Sequence, residues 1–400
     1  MLFVLTFVAT SAETTLPRAA ATDVGMSAER LENLKEVMAR HLASGTSPVG
    51  IVVAIARRGH LVFLHASGVM NIESKRPLAT DSIFRLMSAT KVIVAAAVLT
   101  LVDEGRVRLQ DPVSRYVPEF ATLTVGTASG SRDRAKRAIT LQDLLTHTSG
   151  LGSGASFIET MRVADVGPGT TLAEAVRRFP QAPLEFQPGD HWSYSPVAGF
   201  DTLLRVAEIV SGQPADELLR RRIFQPLAMT DTRFWTPAAD TNPRLATLYD
   251  QTRDGLKPLA NPGGSEKYFS GGGGLMSTAE DLAQFGQMLL NGGELNGVRL
   301  LKASTVSQMH SSVVKEFASP FDGIKPGRTF GLGVQVINDP TAVGYRVGRG
   351  TFGWDGALGS IETHVWIDPA SNIVGVVFLQ GQDVSVFRDV EAAVMQSIVR

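Results

Sequence analysis

The chain contains no cysteine among its 400 residues, and its formal net charge at pH 7 is only −1. The missing cysteines exclude disulfide bonds, thiolate metal sites and a cysteine nucleophile. The near-neutral net charge shows no excess of positive charge that would attract nucleic acid or an anionic membrane surface. The longest apolar run, at 92–102, is much shorter than the roughly 20 residues that a membrane-spanning helix needs. We therefore expect neither nucleic-acid binding nor stable membrane insertion.

Several motifs that mark other enzyme classes are also missing. The sequence has no G-x-S-x-G nucleophile elbow, no H-E-x-x-H zinc motif, no P-loop and no dinucleotide-binding glycine motif between a strand and a helix. Its seven histidines are scattered. The glycine run at 271–274 lacks a lysine partner for a phosphate and is more typical of a tight turn. We therefore expect no metal and no cofactor.

The N-terminal residues leave two interpretations open. Residues 2–9 are mostly apolar, and small residues at 10–12 and 19–21 offer cleavage sites. No basic residue precedes this short stretch, since the first one is Arg18. Residues 1–21 are therefore a candidate signal or leader segment, which leaves the bacterial cytoplasm and the periplasm or exterior as alternative locations.

Strand-like and helix-like patterns occupy different parts of the chain. Two β-rich runs near the N-terminus, 49–56 and 61–66, surround a turn, and a second pair, 363–367 and 373–379, lies near the C-terminus. Helical periodicity is found in the segments 27–42, 92–104, 141–147, 172–178, 199–210, 215–223, 279–291 and 386–400, with capping boxes predicted to start at Thr171 and Ser277.

This pattern predicts an α+β fold, in which an antiparallel sheet is built from both chain termini, with flanking helices and an inserted, mostly helical domain. We expect residues 22–86 and 300–400 to form the sheet domain and residues 87–299 to form the helical domain. The active site is expected between them.

Ser88 and Lys91 form an S-x-x-K motif, whose spacing places both side chains on one face of a helix. A serine hydroxyl becomes a good nucleophile when a base removes its proton, and a neutral lysine can be that base. Burial and the positive end of a helix both favour the neutral amine. The apolar residues 92–99 predict such a buried helix. A second copy, Ser312 to Lys315, has no sustained apolar helix behind it and is interpreted as a chance occurrence.

Two further segments carry residues suited to the same chemistry. Tyr194 can pass protons if it faces a serine and a lysine, because a nearby cation favours the phenolate; the alternative is a tyrosine that only packs. The glycine-rich segment 352–360 lies just ahead of a C-terminal strand. Its backbone N–H groups can meet an oxyanion, with Trp354 as a wall, or the segment is simply a tight entry into the strand.

Taken in this order, the Ser-x-x-Lys, Tyr and Trp-x-Gly elements resemble the class C type of serine β-lactamases and penicillin-binding proteins, and most closely the family VIII carboxylesterases. The resemblance runs from about residue 25 to the C-terminus. Its supporting segments are 84–91, 144–151, 187–194, 226–229, 270–281 and 366–369. It implies a serine β-lactamase-like fold.

The resemblance also implies a role for each matching residue. Ser88 corresponds to the acyl-forming nucleophile, Lys91 to its proton acceptor, and Tyr194 to the partner base that shuttles a proton to the leaving group. The backbone N–H groups of Ser88 and Ala357 correspond to the oxyanion hole.

Two departures from the family pattern bear on the substrate. Pro196 stands where class C lactamases carry the asparagine of Tyr-x-Asn. Trp354, Asp355 and Gly356 stand where lactamases carry Lys-Thr-Gly and where many family VIII esterases carry Trp-Gly-Gly. Both changes remove polar anchors for an anionic amide and favour a neutral ester. Asp355 leaves two alternatives: its charge disfavours anionic substrates, or it points away into solvent or a salt bridge.

We therefore expect a serine carboxylesterase that hydrolyses short to medium acyl esters through a Ser88 acyl-enzyme, with at most weak β-lactam hydrolysis. Trp354, Asp355 and Gly356 are expected to bind the substrate, a small-molecule ester. The alternatives are a class C-type β-lactamase, a D-amino-acid peptidase or acyltransferase, and a non-catalytic binding or assembly protein that has kept the fold. No oligomeric state follows from the resemblance.

Overall fold

The computed structural model describes residues 15–43, 47–237, 241–252, 255–259, 265–314 and 326–399. The helices of these residues are α1 (Ala28–Leu42), α2 (Thr90–Asp103), α3 (Leu141–Leu145), α4 (Ser156–Ala164), α5 (Leu172–Arg178), α6 (Ala198–Ser211), α7 (Ala215–Leu219), α8 (Ala279–Leu290), α9 (Ala303–Met309), α10 (Pro340–Val343) and α11 (Ser385–Ser397). Short 3₁₀ turns lie at Ala21–Val24, Met87–Ala89, Val113–Arg115, Pro118–Ala121 and Phe179–Gln181, and a π-helical turn lies at Arg220–Phe224.

The strands of the same residues are β1 (Gly50–Arg57), β2 (His60–Asn71), β3 (Arg76–Pro77), β4 (Phe84–Arg85), β5 (Thr124–Gly126), β6 (Arg132–Arg134), β7 (Arg233–Phe234), β8 (Tyr249–Thr252), β9 (Gly255–Pro258), β10 (Leu275–Ser277), β11 (Glu294–Leu295), β12 (Val298–Arg299), β13 (Arg328–Phe330), β14 (Gln335–Ile337), β15 (Phe352–Gly353), β16 (Gly356–Leu358), β17 (Ile361–Asp368) and β18 (Ile373–Gln380).

Nine of these strands form one antiparallel sheet in the order β13-β14-β15-β17-β18-β1-β2-β3, with β16 paired to β17 beside β15. Strand β1 pairs with β18 along its whole length, from Gly50 opposite Gln380 to Arg57 opposite Ile373. This pairing joins the N-terminal and C-terminal strands in the centre of the sheet. The expected α+β fold, with a sheet built from both termini, is thereby confirmed. The domain boundaries expected at 86/87 and 299/300 stay a prediction.

The predicted N-terminal hairpin is formed by β1 and β2. Its two turn residues, Arg58 and Gly59, both have positive φ, 50° and 82°. Two left-handed residues in a two-residue loop match the right-handed twist of the paired strands, and glycine accepts this conformation without steric cost. Strand β2 extends to Asn71, five residues beyond the predicted end at 66, because β3 pairs with its second half.

The central strands are buried on both faces of the sheet. In β1, Ile51 and Val53 join the apolar cluster that also contains α1 and α11 residues, whereas Val52 and Ala54 join the larger cluster on the opposite face, against α8. This is the alternation expected of successive strand residues. Because the sheet is covered on both faces, the sequences of its central strands are nearly continuous apolar runs.

The helix predictions are correct in position, with differences at their ends. Helix α3 stops at Leu145, two residues before the predicted end, because His147 adopts a left-handed φ of 57°. The capping box at Thr171 and Glu174 is present as predicted. The one predicted at Ser277 is wrong, because Ser277 ends β10 and the cap of α8 is Thr278, whose hydroxyl accepts from the Asp281 N–H.

Helix α2 is the buried centre of the helical region. Every residue from Thr90 to Leu101 is buried, as expected for a helix that is apolar all round. The 3₁₀ turn Met87–Ala89 precedes it directly. The N-terminal end of a fixed, buried helix therefore holds Ser88.

Candidate active site

Ser88 lies in the turn that leads into α2, and the residue before it is conformationally strained. Met87 has a φ of 46°, a left-handed conformation that costs a non-glycine residue about 1–3 kcal/mol. Ser88 itself is half-buried and lines a cavity of about 320 Å³. The positive end of α2 at this position favours negative charge on an oxygen held there.

Lys91 is completely buried and lies one turn after Ser88. Its Nζ lies 3.1 Å from Ser88 Oγ and donates to two backbone carbonyls, Pro196 O at 2.7 Å and Gly272 O at 2.6 Å. A neutral amine has two N–H groups, which the two carbonyls accept, and one lone pair, which then faces Ser88 Oγ. The arrangement therefore suits a lysine that accepts the serine proton.

Tyr194 contacts the same serine. Its hydroxyl donates to Ser88 Oγ at 2.6 Å, and Lys91 Nζ lies 5.0 Å from the centroid of its ring. Trp354 Nε1–H donates to the Tyr194 hydroxyl oxygen at 3.3 Å. The structure thus brings together the serine, lysine, tyrosine and tryptophan that the sequence singled out.

Asp201, which the sequence analysis did not identify, holds the turn that contacts Lys91. It is buried in α6, and its carboxylate accepts from Gly272 N at 2.9 Å, from Ser270 Oγ at 2.8 Å and from the Tyr268 hydroxyl. Burial raises the pKa of this carboxyl above its ordinary value, against the effect of these donors. Because the same Gly272 accepts from Lys91, Asp201 positions one of the two carbonyls around the amine.

His147 packs behind Tyr194, with ring centroids 4.8 Å apart. Its Nδ1 accepts from the Ser195 N–H at 3.1 Å, which fixes the neutral tautomer with the proton on Nε2. Burial, and then the charge of Lys91, hold the pKa of His147 well below its ordinary value. This neutral ring supports the segment that carries Tyr194. No sequence pattern indicates this role, because a lone histidine more often only packs.

Strand β16 passes directly against the backbone of Ser88. A Cβ on Gly356 would lie 2.0 Å from Leu86 O and 2.9 Å from Ser88 N, so only glycine allows this approach. Thr363, opposite Gly356 on β17, donates its hydroxyl to Leu86 O at 3.0 Å. Ala357 is the next residue of β16, directly after the point at which this strand comes closest to the backbone of Ser88.

Asp355 forms a salt bridge, as one of the two alternatives for it expected, and it also lines the cavity that contains Ser88. Strand pairing with β17 stops at Gly353 and resumes at Gly356, and the two residues between point to different sides. Trp354 faces Tyr194, whereas the Asp355 carboxylate lies 2.6 Å from Nδ1 of His364.

His364 connects Asp355 to a second carboxylate. Its Nε2 lies 2.9 Å from Glu391 of α11, and its ring stacks between Trp366 and Phe387. Burial alone would lower the pKa of His364, but Asp355 and Glu391 outweigh burial and hold it well above its ordinary value. A buried imidazolium between two carboxylates therefore anchors the loop between β15 and β16 to the C-terminal helix.

The second S-x-x-K copy has no comparable surroundings within the described chain. Ser312 is exposed and follows α9, and Lys315 lies outside the described residues. In the described ranges, no group of three or more histidine and acidic residues is placed to hold a metal ion. None of the helices described above is long and apolar enough to cross a membrane.

The fold and the Ser–Lys–Tyr cluster together define the class of serine hydrolases that use a lysine one helical turn after the serine. The family model named β-lactamase matches residues 34–400, and the chain belongs to the β-lactamase family.

Its relatives include named esterases. Esterase EstB of Burkholderia gladioli is 31% identical over 350 residues, which cover 80% of this chain and 82% of that protein. Lovastatin esterase of Penicillium rubens is 31% identical over 362 residues, which cover 82% of this chain and 88% of that protein. Among solved structures, EstCE1, a hydrolase with promiscuous acyltransferase activity, superposes with a TM-score of 0.76 at 27% identity, over 92% of this chain and 99% of that chain. The resemblance to the esterases of this superfamily is thereby confirmed.

Proposed function

We propose that the protein is a serine carboxylesterase that hydrolyses short to medium acyl esters through an acyl-enzyme on Ser88. The observation that carries this proposal is the position of Ser88 Oγ, 3.1 Å from Lys91 Nζ and 2.6 Å from the Tyr194 hydroxyl. A serine that contacts both a proton acceptor and a proton donor has what acyl transfer requires. The similarity to EstB and lovastatin esterase supports an ester as the substrate.

In acylation, Ser88 Oγ attacks the ester carbonyl carbon and gives its proton to Lys91. The negative charge on the carbonyl oxygen is stabilised by the backbone N–H groups of Ser88 and Ala357. The tetrahedral intermediate then expels the alcohol oxygen, which takes the proton of the Tyr194 hydroxyl. This step leaves an acyl-serine, an ammonium on Lys91 and a phenolate on Tyr194. The cation lies 5.0 Å from the centroid of the tyrosine ring and stabilises the phenolate.

In deacylation, the Tyr194 phenolate takes a proton from water, and the resulting hydroxide attacks the acyl carbon. As the carboxylic acid leaves, Ser88 Oγ recovers its proton from Lys91. Both catalytic side chains thereby return to their starting states. Trp354 donates to the Tyr194 oxygen throughout, which helps this oxygen to carry negative charge.

The surroundings of Ser88 favour an ester over a β-lactam. Pro196 offers a backbone carbonyl, already occupied by Lys91, and no side-chain group to hold an amide. Trp354 presents an aromatic wall, which packs against Tyr194 with ring centroids 5.3 Å apart. Neither residue supplies a polar anchor for an anionic lactam.

The test is the turnover of 4-nitrophenyl butyrate by the wild type, Ser88→Ala and Ser312→Ala. We expect kcat of Ser88→Ala to fall by at least about a thousandfold. Ser312→Ala is the matched control, because it removes the exposed serine of the other S-x-x-K copy. Equal and slow rates for the wild type and Ser88→Ala would contradict the proposal. Faster turnover of a chromogenic cephalosporin than of the ester would instead favour a β-lactamase.

A further inference from the structure

The cavity lined by Ser88 and Trp354 is also lined by an arginine, Arg328. The same cavity is lined by Ser88 and Tyr194 near the reacting atoms and by Arg328, Gln335 and Tyr345 elsewhere. Arg328 and Gln335 come from the neighbouring edge strands β13 and β14, and Tyr345 follows α10. Substrate bound at Ser88 therefore shares one cavity with the guanidinium group.

Among the described residues, the groups that hold Arg328 in place are neutral. Its Nη1 donates to Gln335 Oε1 at 3.2 Å, its Nη2 donates to the Tyr345 hydroxyl at 3.2 Å, and its guanidinium carbon lies 5.2 Å from the centroid of the Tyr345 ring. Its Nε–H is buried and has no hydrogen-bond partner in the described ranges of the chain. A guanidinium has five N–H donors. The group is therefore fixed in position and still has donors to spare.

The other charged groups of the cavity contact one another, because Asp355 and Glu391 both lie within hydrogen-bond distance of His364 and share it as a partner. Within the described part of the chain, Arg328 makes no ion pair with a carboxylate, unlike the other cation that lines this cavity. A positive charge of this kind, in a cavity next to a nucleophile, is suited to a substrate anion.

We propose that Arg328, with Gln335 and Tyr345, binds a carboxylate that the ester substrate carries away from its scissile bond. This inference rests on the proposed esterase function and narrows its substrate class. The sequence favoured a neutral ester because the polar anchors next to Ser88 are missing, and the structure adds a cation that lines the same cavity. Guanidinium and carboxylate match each other in planar, two-bond geometry, which fixes the orientation of the substrate as well as its charge.

The test compares kcat/KM for matched ester pairs in the wild type, Arg328→Gln and Arg328→Lys. One pair places the carboxylate on the acyl group, mono-4-nitrophenyl adipate against 4-nitrophenyl hexanoate. The other places it on the alcohol, 4-(butyryloxy)benzoate against phenyl butyrate. For at least one pair, we expect Arg328→Gln to lower the ratio of charged to neutral substrate tenfold or more, and Arg328→Lys to restore part of it. The affected pair identifies which side of the ester carries the anion.

Arg388→Gln is the matched control. Arg388 also lies over the Tyr345 ring, at 5.9 Å, but it is exposed and does not line the cavity. It changes the net charge equally, so the ratio should stay as in the wild type. An equal loss on charged and neutral esters in Arg328→Gln, or the same change in Arg388→Gln, would overturn the inference.

Binding of adipate, measured by calorimetry, separates this inference from the proposed function. Binding that is lost in Arg328→Gln and kept in Arg388→Gln supports the anion site even if no ester is turned over. Turnover of neutral esters that depends on Ser88, together with neither adipate binding nor a change of the ratios, would leave the esterase proposal standing and refute the anion site.

Discussion

Two buried histidines, on either side of the loop that carries Trp354 and Asp355, are held in opposite protonation states. His147 lies 6.4 Å from the Trp354 ring, receives one backbone N–H and has its pKa lowered by burial and Lys91. His364 contacts Asp355 and Glu391, and these two carboxylates raise its pKa in spite of burial. Burial alone therefore does not decide the charge of an imidazole; its hydrogen-bond partners do.

The different charges of His147 and His364 suit two different roles around this loop. A neutral ring behind Tyr194 adds no charge where Lys91 exchanges a proton with Ser88 and where Tyr194 exchanges one with the leaving alcohol and with water. A charged ring beside Asp355 forms ion pairs that tie the loop to α11, away from the reacting atoms. The half-exposed Asp355 and the fully buried Glu391 both depend on His364 for a positive partner.

The largest expected effect is on stability, and it comes from replacing each of the two histidines separately with phenylalanine. His364→Phe leaves Glu391 as a buried carboxylate without a cation, and we expect it to lower the free energy of unfolding by about 3–5 kcal/mol at pH 7. His147→Phe removes only the acceptor of one backbone N–H, and we expect a loss of about 1–2 kcal/mol. Urea denaturation of the two variants and the wild type measures both values. Equal losses of unfolding free energy in the two variants would contradict a difference in charge between the two rings.

The pH dependence of stability sharpens the comparison, because the two shifts have opposite signs. The folded pKa of His364 is raised, so its stabilisation is complete below its unfolded value of about 6.5 and is lost as the pH rises through the folded value. The folded pKa of His147 is lowered, so its contribution is present above about pH 6.5 and is lost as the pH falls through the folded value.

Unfolding free energies between pH 5 and pH 9 test this prediction. Each group contributes a slope of at most about 1.4 kcal/mol per pH unit. In the plot of unfolding free energy against pH, His364→Gln should reduce the loss of stability at alkaline pH. His147→Gln should reduce the loss of stability at acidic pH. Glu362, whose pKa burial raises to about 7, also makes stability fall with rising pH, so each variant must be compared with the wild type at the same pH. Parallel profiles for all three proteins would contradict the assignment.

The sequence predicted the reacting residues much better than the residues that hold them in position. Ser88 and Lys91 are one helical turn apart, so their contact follows from local geometry, and Tyr194 follows from its place in a recognised order of motifs. Asp201 could have been suspected as an acid close to apolar residues at the start of the predicted helix at 199–210. Its contact with residue 272 depends on how the chain packs, and local periodicity carries no such information.

The same reason explains why the His364 network and the Arg328 site were not predicted. His364 and Glu391 are 27 residues apart, on a strand and a helix that meet only through packing on the outer face of the sheet. Arg328 belongs to β13 and Tyr345 to a segment after α10, and neither element was predicted. The early end of α3 at His147 was missed because a positive φ is expected at glycine rather than at histidine.

The smallest expected effect is that of Trp354→Phe, which tests the side of the loop that faces His147. The substitution keeps an aromatic side chain, although a smaller one, and removes the N–H donated to the Tyr194 oxygen at 3.3 Å. A single hydrogen bond of this length contributes about 0.5–1 kcal/mol, so kcat for 4-nitrophenyl butyrate should fall about two- to fivefold. The free energy of unfolding should change little, because the His364 network on the other side of the loop stays intact. A large loss of stability with unchanged kcat would show that Trp354 supports the loop rather than the proton transfers of Tyr194.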